Sequence, residues 1–267
     1  MEDAMTLVIF TSLSQMAIGA FACLFFLDAY QRKISERSLT ISLISILAVS
    51  AVAMIVSVFH LGHPFAAYRA LLNFGASWLT REIVFFPLFM FFVLMYAYFA
   101  KTKMQKMALG WTTILFGAAT IVSTAMIYTI PAVPAWNNGT TMAAFFLTAL
   151  LLGPVFIQLL LGVLEKKPVH FHKYTTGVAF LALLLNVVTV SVLKSGLPQA
   201  VESAGLLTAS PLFWAKMASL AAGFALAAYL LLKKKAGSLA AVTTLFALFI
   251  VAEFLGRILF YATGVHL

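Results

Sequence analysis

The residues best suited to chemistry crowd into one stretch, His60 to Glu82, at the edge of a long apolar run. Its titratable members are His60, His63, Arg69, Arg81 and Glu82, and Tyr68, Ser77 and Trp78 stand among them. Imidazole and carboxyl groups exchange protons near neutral pH when their surroundings tune their pKa values. The spacing therefore predicts a proton-handling site at one end of an apolar structure.

Quinol oxidation is a reaction that needs a histidine and a carboxylate in such a place. It removes two protons and two electrons, so the quinol hydroxyls need hydrogen-bond acceptors, and the ring and tail need an apolar slot. We predict that His60 and Glu82 are the catalytic pair; the alternative is that they only anchor and cap helix ends. A single cysteine, Cys23, cannot supply the four thiolates of an iron–sulfur cluster, so the electron acceptor is expected in a partner.

Further residues are candidates for quinol binding. The full set is His60, His63, Arg69, Ser77, Trp78, Arg81, Glu82, Trp136, Glu253, Arg257 and Tyr261. Arg69 and Arg81 can position a quinone oxygen or extend to lipid headgroups. Glu253 and Arg257 are four residues apart, so they share a helical face, where we expect an ion pair lining the same cavity. Tyr261 continues that face.

The composition is that of an integral membrane protein, with 63% hydrophobic and only 9% charged residues. Soluble domains contain about 25% charged residues. Apolar runs of roughly 20 residues, long enough to span a bilayer, recur with short polar interruptions. We predict an all-α, polytopic bundle of eight transmembrane helices forming a single domain over residues 1–267. A short interfacial helix is expected after the second span, at about residues 61–80.

The protein has a net charge of +9, and its cations are concentrated in alternate connections between the spans. Lysine and arginine concentrate after the first, third, fifth and seventh spans, and the loops near 61–81, 131–141 and 195–211 hold fewer cations. By the positive-inside rule, the basic loops are cytoplasmic and both termini lie outside. The basic residues therefore indicate membrane topology, and no nucleic-acid partner is expected.

Four positions carry more local expectations. Glu82 should open the third span, where the helix dipole favours a carboxylate. Lys216, near the outer end of the seventh span, should extend its charged end to the interface. His170 and His172, in a basic loop, should be surface residues, because two histidines alone make a poor metal site.

Two other functions compete with quinol oxidation. A haem-binding b-type cytochrome needs histidines on facing helices, whereas those of this protein are expected at one membrane interface, in a loop and at the C-terminal end. A proton-coupled transporter agrees with the broken helix expected at Gly153–Pro154. A visible internal repeat and more midplane charge would favour the transporter, and the sequence has neither.

The sequence resembles the family of DMSO reductase membrane anchor subunits (DmsC-like) along essentially the whole chain. The resemblance rests on HLGHP at 60–64, RAL at 69–71, SWLTREI at 77–83, PAW at 134–136, FFLT at 145–148, GP at 153–154 and EFLGRILFY at 253–261. His63 and Arg81 depart from the family's pattern.

The resemblance implies a bacterial inner-membrane anchor for a molybdopterin catalytic subunit and an iron–sulfur electron-transfer subunit. It also implies menaquinol oxidation near the outer face, with no haem and no iron–sulfur cluster in this protein. His60 and Glu82 match the quinol-site residues of that family. A quinone anchor of the polysulfide-reductase type is the related alternative.

Overall fold

The computed structural model describes residues 2–31, 34–59, 73–99, 103–165, 171–233 and 237–267, and these form helices without strands. The helices are α1 (Glu2–Phe26), which continues into a π-helical segment (Leu27–Gln31), α2 (Glu36–Phe59), α3 (Trp78–Tyr98), α4 (Lys103–Tyr128), α5 (Gly139–Leu164), α6 (His172–Lys194), α7 (Pro198–Ala209), α8 (Pro211–Leu232) and α9 (Leu239–Ala262). All except α7 are long and apolar enough to cross a membrane. The predicted bundle of eight spans is confirmed.

The spans pack as two groups of four, α1 to α4 and α5, α6, α8 and α9. The two groups meet where α1 lies against α5, and these are the two most buried spans. A side chain at Gly19 would overlap the backbone of Ala149, and one at Gly153 would overlap the backbone at Gly19 and Ala20. Small residues allow such close approach of membrane helices. Close backbone contact thus joins the two groups of helices.

The bundle has two chemically different ends. One end, called the C-terminal rim here, holds the turns at 129–138, α7 and the last residues of the protein. The amide of Leu267 donates to the carbonyl of Ala132 at 2.9 Å, and the amide of Val265 donates to the hydroxyl of Ser203 at 3.1 Å. The other end, the basic rim, holds Arg37, Lys106, Lys173 and Lys233 at the helix ends that the structure describes.

The connection at 195–211, expected as a loop, folds mostly into the short helix α7. Its 12 residues cannot span a bilayer, which takes about 20. Pro198 occupies its first turn, where a missing amide hydrogen costs nothing. Ala200 and Ala204 pack against Leu193, so α7 covers part of the C-terminal rim.

The start of α3 corrects two expectations. Ser77 is the N-cap, with its hydroxyl accepting from the amide of Thr80 at 3.3 Å, and the helix begins at Trp78. Glu82 therefore lies in the second turn rather than opening the span. Residues 73–76 form a turn, so the predicted interfacial helix does not extend to residue 80. The rest of that segment, residues 60–72, lies outside the described residues.

Candidate functional site

Glu82 is a carboxyl group buried near the C-terminal rim, with 6% of its surface exposed. It points from α3 toward α4, where the hydroxyl of Thr124 donates to Oε1. A buried carboxyl group is tolerated in an apolar bundle only when it is hydrogen-bonded or protonated. The geometry thus gives Glu82 one neutral partner and an environment suited to holding or releasing a proton.

The neighbours of Glu82 shape the segment that leads into α3. Arg81 donates to the carbonyl of Phe74 at 3.1 Å and to that of Gly75 at 2.7 Å. Its guanidinium lies 4.0 Å from the centre of the Trp78 ring. Two N–H groups of Arg81 therefore stabilise the turn at 73–76, a role that the sequence did not predict. Quinol contacts of Ser77, Trp78 and Arg81 stay predictions.

The other half of the predicted catalytic pair is not described. His60, His63, Tyr68 and Arg69 lie outside the described residues. The proximity of His60 to Glu82 therefore stays a prediction.

An aromatic cluster joins the two groups of helices at the C-terminal rim. It consists of Tyr128, Trp136, Phe145, Phe260 and Tyr261. The Tyr261 hydroxyl donates to that of Tyr128 at 2.9 Å. The Trp136 indole donates to the carbonyl of Phe260 at 2.8 Å and stacks on its ring. Trp136 and Tyr261 are thus brought together.

A cavity of about 120 Å³ lies within the second group of helices. Its charged and amide lining residues, which define the charged cavity, are Asn186, Lys216, Glu253 and Arg257. Trp136 and Phe260 also line it, so the aromatic cluster stands between the cavity and α4. The predicted residues Trp136, Glu253 and Arg257 therefore share a cavity, whereas Glu82 does not line it.

Glu253 and Arg257 do not form the expected direct ion pair. The Thr148 hydroxyl of α5 stands between them, donating to Glu253 Oε2 at 2.5 Å and accepting from Arg257 at 3.2 Å. Arg257 also donates to Gln15 Oε1 at 2.6 Å, and its guanidinium lies 3.6 Å from the Phe145 ring centre. Helical spacing put both charges on one face of α9, but a second helix, α5, supplied the hydroxyl between them.

Lys216 contradicts the expectation that it extends to the interface. Its ammonium group donates to Asn186 Oδ1 at 2.5 Å inside the bundle. Its stem occupies the space that a side chain at Gly256 would need. Sequence reasoning missed this convergence of α6, α8 and α9, although a lysine and an asparagine within apolar spans were visible signals.

His172 is also placed differently from the expectation. It is buried at the basic rim, with 4% exposed, and its Nε2 accepts from the amide of Gly237 at 3.3 Å. His266 lies at the opposite rim, with its ring 6.2 Å from that of Trp136, so these two histidines cannot ligate one haem. His170 lies outside the described residues. Within the described part of the protein, no three His, Cys, Asp or Glu side chains gather as metal ligands.

Comparison with known proteins agrees with this architecture. The sequence matches the family described as DMSO reductase anchor subunit (DmsC) over residues 1–263. The protein belongs to this family. The YnfH subunit of an anaerobic dimethyl sulfoxide reductase from Escherichia coli K12 is 29% identical over 277 residues, covering 98% of this protein and 94% of that one. The C subunit of the anaerobic dimethyl sulfoxide reductase from Haemophilus influenzae is 27% identical over 275 residues, with the same coverage.

The family resemblance suggested by the sequence motifs is therefore confirmed. This anchor subunit is a multi-pass membrane protein, with eight helices in its described part that are long and apolar enough to cross a membrane.

Proposed function

We propose that this anchor subunit oxidises menaquinol near the C-terminal rim and passes the electrons to an iron–sulfur subunit docked there. A molybdopterin subunit of the same complex then reduces the terminal acceptor. The observation that carries the proposal is the buried carboxyl group of Glu82, bound to Thr124, in a member of the DMSO reductase anchor family.

Glu82 is suited to one half of the proton chemistry. When a quinol becomes a quinone, two O–H bonds break, and two electrons leave with two protons. Glu82 accepts one hydroxyl proton, and His60 accepts the other. The Thr124 hydroxyl can donate to the carboxylate or rotate to accept from the acid, so the contact survives either state.

Aromatic rings close to Glu82 favour a flat apolar substrate. On α3 and α4, Phe85 and Phe116 have ring centres 6.1 Å apart, and Phe85 meets Phe74 edge to face at 5.8 Å. Rings arranged in this way can pack against a quinone ring and its tail. Phe85 lies one helical turn from Glu82 on α3, and Phe74 lies in the turn that precedes this helix.

The electrons must leave this subunit for a partner. The sequence has one cysteine, and an iron–sulfur cluster needs about four thiolates, so the cluster belongs to the docked subunit. We place the protein in the bacterial inner membrane with the C-terminal rim outward, because the lysines and arginines collect at the other rim.

The proposal is tested by quinol-analogue binding and menaquinol turnover in the complete reductase. Glu82→Gln retains the shape of the side chain but cannot accept a proton, so turnover should fall at least tenfold while the complex still assembles. His60→Ala should weaken analogue binding at least tenfold. Glu202→Gln is the matched control, because Glu202 is an exposed carboxylate on α7 at the same rim. Unchanged binding and turnover in both site variants would remove the site assignment.

A further inference from the structure

We propose that the charged cavity is a water-filled proton-exit compartment, in which Glu253 receives protons from quinol oxidation and passes them to the C-terminal rim. The inference rests on the proposed function, which supplies the protons. Its basis is the convergence of Lys216, Glu253 and Arg257 on one cavity inside the membrane bundle.

The size of the cavity favours water over quinone. Pockets for organic ligands measure about 300–1,000 Å³, more than twice the 120 Å³ found here. A polar cavity holds a water molecule once it offers about 10–15 Å³ and two or more polar partners. The charged cavity therefore has room for several water molecules and too little for a quinone ring with its tail.

The charges in the cavity also require water. Glu253 and Lys216 each bind a neutral side chain, Thr148 and Asn186 respectively, at 2.5 Å. The ion pair between Lys106 and Asp28 lies elsewhere in the bundle, so it does not neutralise the charges of the cavity. Charged groups in a bilayer are costly unless they are paired or hydrated. Water in the cavity supplies the missing hydration.

The lining of the cavity reaches the C-terminal rim. Thr140, Leu207 and Thr263 carry its lining to the C-terminal rim. Toward the basic rim, Phe249 lies one helical turn from Glu253, and Leu220 lies one helical turn from Lys216. The side chains of Phe249 and Leu220 are fully buried. An apolar floor of this kind blocks protons from the basic rim, so the cavity acts as an exit rather than a channel.

Hydroxyl groups lie between Glu82 and the cavity. Thr124, which binds Glu82, is one helical turn from Tyr128 on α4. Tyr128 bonds to Tyr261 at 2.9 Å, and Tyr261 is one helical turn from Arg257 of the cavity lining. A proton leaving the Glu82 carboxyl group can pass these hydroxyls and bound water to the carboxylate of Glu253. No electron moves in this step.

The role of Glu253 is tested in the complete reductase. Glu253→Gln keeps a hydrogen-bond acceptor for Thr148 but cannot carry a proton. Turnover should fall at least tenfold, the solvent deuterium isotope effect should rise, and quinol-analogue affinity should stay within twofold. Glu253→Asp should recover a large part of the rate, and Glu202→Gln should change nothing.

Turnover of Glu253→Gln within twofold of the unaltered protein would overturn the inference and leave the proposed function intact. Failure of the proposed function shows separately, as unchanged analogue binding and turnover in both Glu82→Gln and His60→Ala.

Hydration is tested independently by cysteine labelling. In a Cys23→Ala background, Thr189→Cys places a thiol in the cavity lining. Val187→Cys is the matched control, because Val187 is on the same helix, 60% exposed, and outside the cavity lining. A hydrophilic, membrane-impermeant thiol reagent added at the C-terminal rim should label Thr189→Cys and not Val187→Cys, since only a hydrated thiol ionises. Labelling of Thr189→Cys no faster than that of Val187→Cys would show that the cavity is no more hydrated than the outer face of α6, and would overturn the inference.

Discussion

Charged side chains inside this bundle bind neutral partners. The Thr124 hydroxyl donates to Glu82, and the Thr148 hydroxyl donates to Glu253 and accepts from Arg257. A hydroxyl can donate to a carboxylate and accept from a carboxylic acid, so it tolerates a change of protonation that a fixed cation would oppose. Such partners suit carboxyl groups that must take up and release protons.

A different arrangement holds the basic rim. The Lys106 ammonium lies 2.5 Å from Asp28 Oδ2, and the Tyr96 hydroxyl donates to the same oxygen at 2.5 Å. Asp28 belongs to the π-helical segment that ends the first span, so this cluster ties α1 to α3 and α4. The side chains are 18% and 11% exposed, partly shielded from water.

Breaking this pair should destabilise the protein. Lys106→Met leaves the Asp28 carboxylate without its cation, and we expect a loss of about 2 kcal/mol, less than for a fully buried pair because water still reaches it. The double variant Asp28→Asn with Lys106→Met should recover at least half of that loss. Thermal unfolding of the purified protein in detergent measures both. Lys233→Met, which removes an exposed lysine at the same rim, should have no effect; an equal loss there would contradict the assignment.

At the scale of the helices, the contact of α1 with α5 holds the two groups together. Glycines at 19 and 153 remove the side chains that would separate the two backbones. Pro154 is buried within α5, where it removes a helical hydrogen bond and depends on the packing around it. The broken helix predicted at Gly153–Pro154 is wrong, because α5 continues without interruption from Gly139 to Leu164.

A methyl group at this contact should be poorly tolerated. Gly153→Ala places a carbon against the backbone of α1, and overpacking of this kind costs about 3 kcal/mol. Gly177→Ala is the control, because nothing lies within 4 Å of the added carbon on α6, and alanine favours a helix by up to about 1 kcal/mol. The yield of folded protein and its thermal stability measure the difference. Equal stability of the two variants would show that the helices are not in close contact.

At the scale of the whole molecule, the groups proposed for chemistry gather at one rim. Glu82, the aromatic cluster and the mouth of the charged cavity lie at the C-terminal rim, and the basic connections lie at the other. Protons released at the C-terminal rim would therefore stay on the side opposite the basic loops.

The orientation of the bundle is testable with reporters. Alkaline phosphatase, which folds only outside the cytoplasm, should be active when fused after Leu267 and inactive when fused after Lys233. The reason is that basic loops remain cytoplasmic. A fluorescent protein that folds in the cytoplasm should give the reverse pattern at the same positions. Activity at Lys233 rather than Leu267 would invert the proposed orientation.

The sequence alone determined the properties that depend on neighbouring residues along the backbone. Each span is a local apolar run, so hydropathy was sufficient to find eight of them. The family motifs singled out Glu82, and the structure shows it buried near the expected rim. The exact start of α3, however, depends on the N-cap hydrogen bond of Ser77, which a hydropathy profile does not predict.

The tertiary structure decided which side chains meet. Thr148 between Glu253 and Arg257, Asn186 against Lys216, and Gly237 against His172 are contacts between helices or segments far apart in the sequence. Helical periodicity gives the face of a residue but not the helix that it faces. In an apolar bundle, a polar side chain turns toward whichever distant partner satisfies its hydrogen bonds, because lipid offers none.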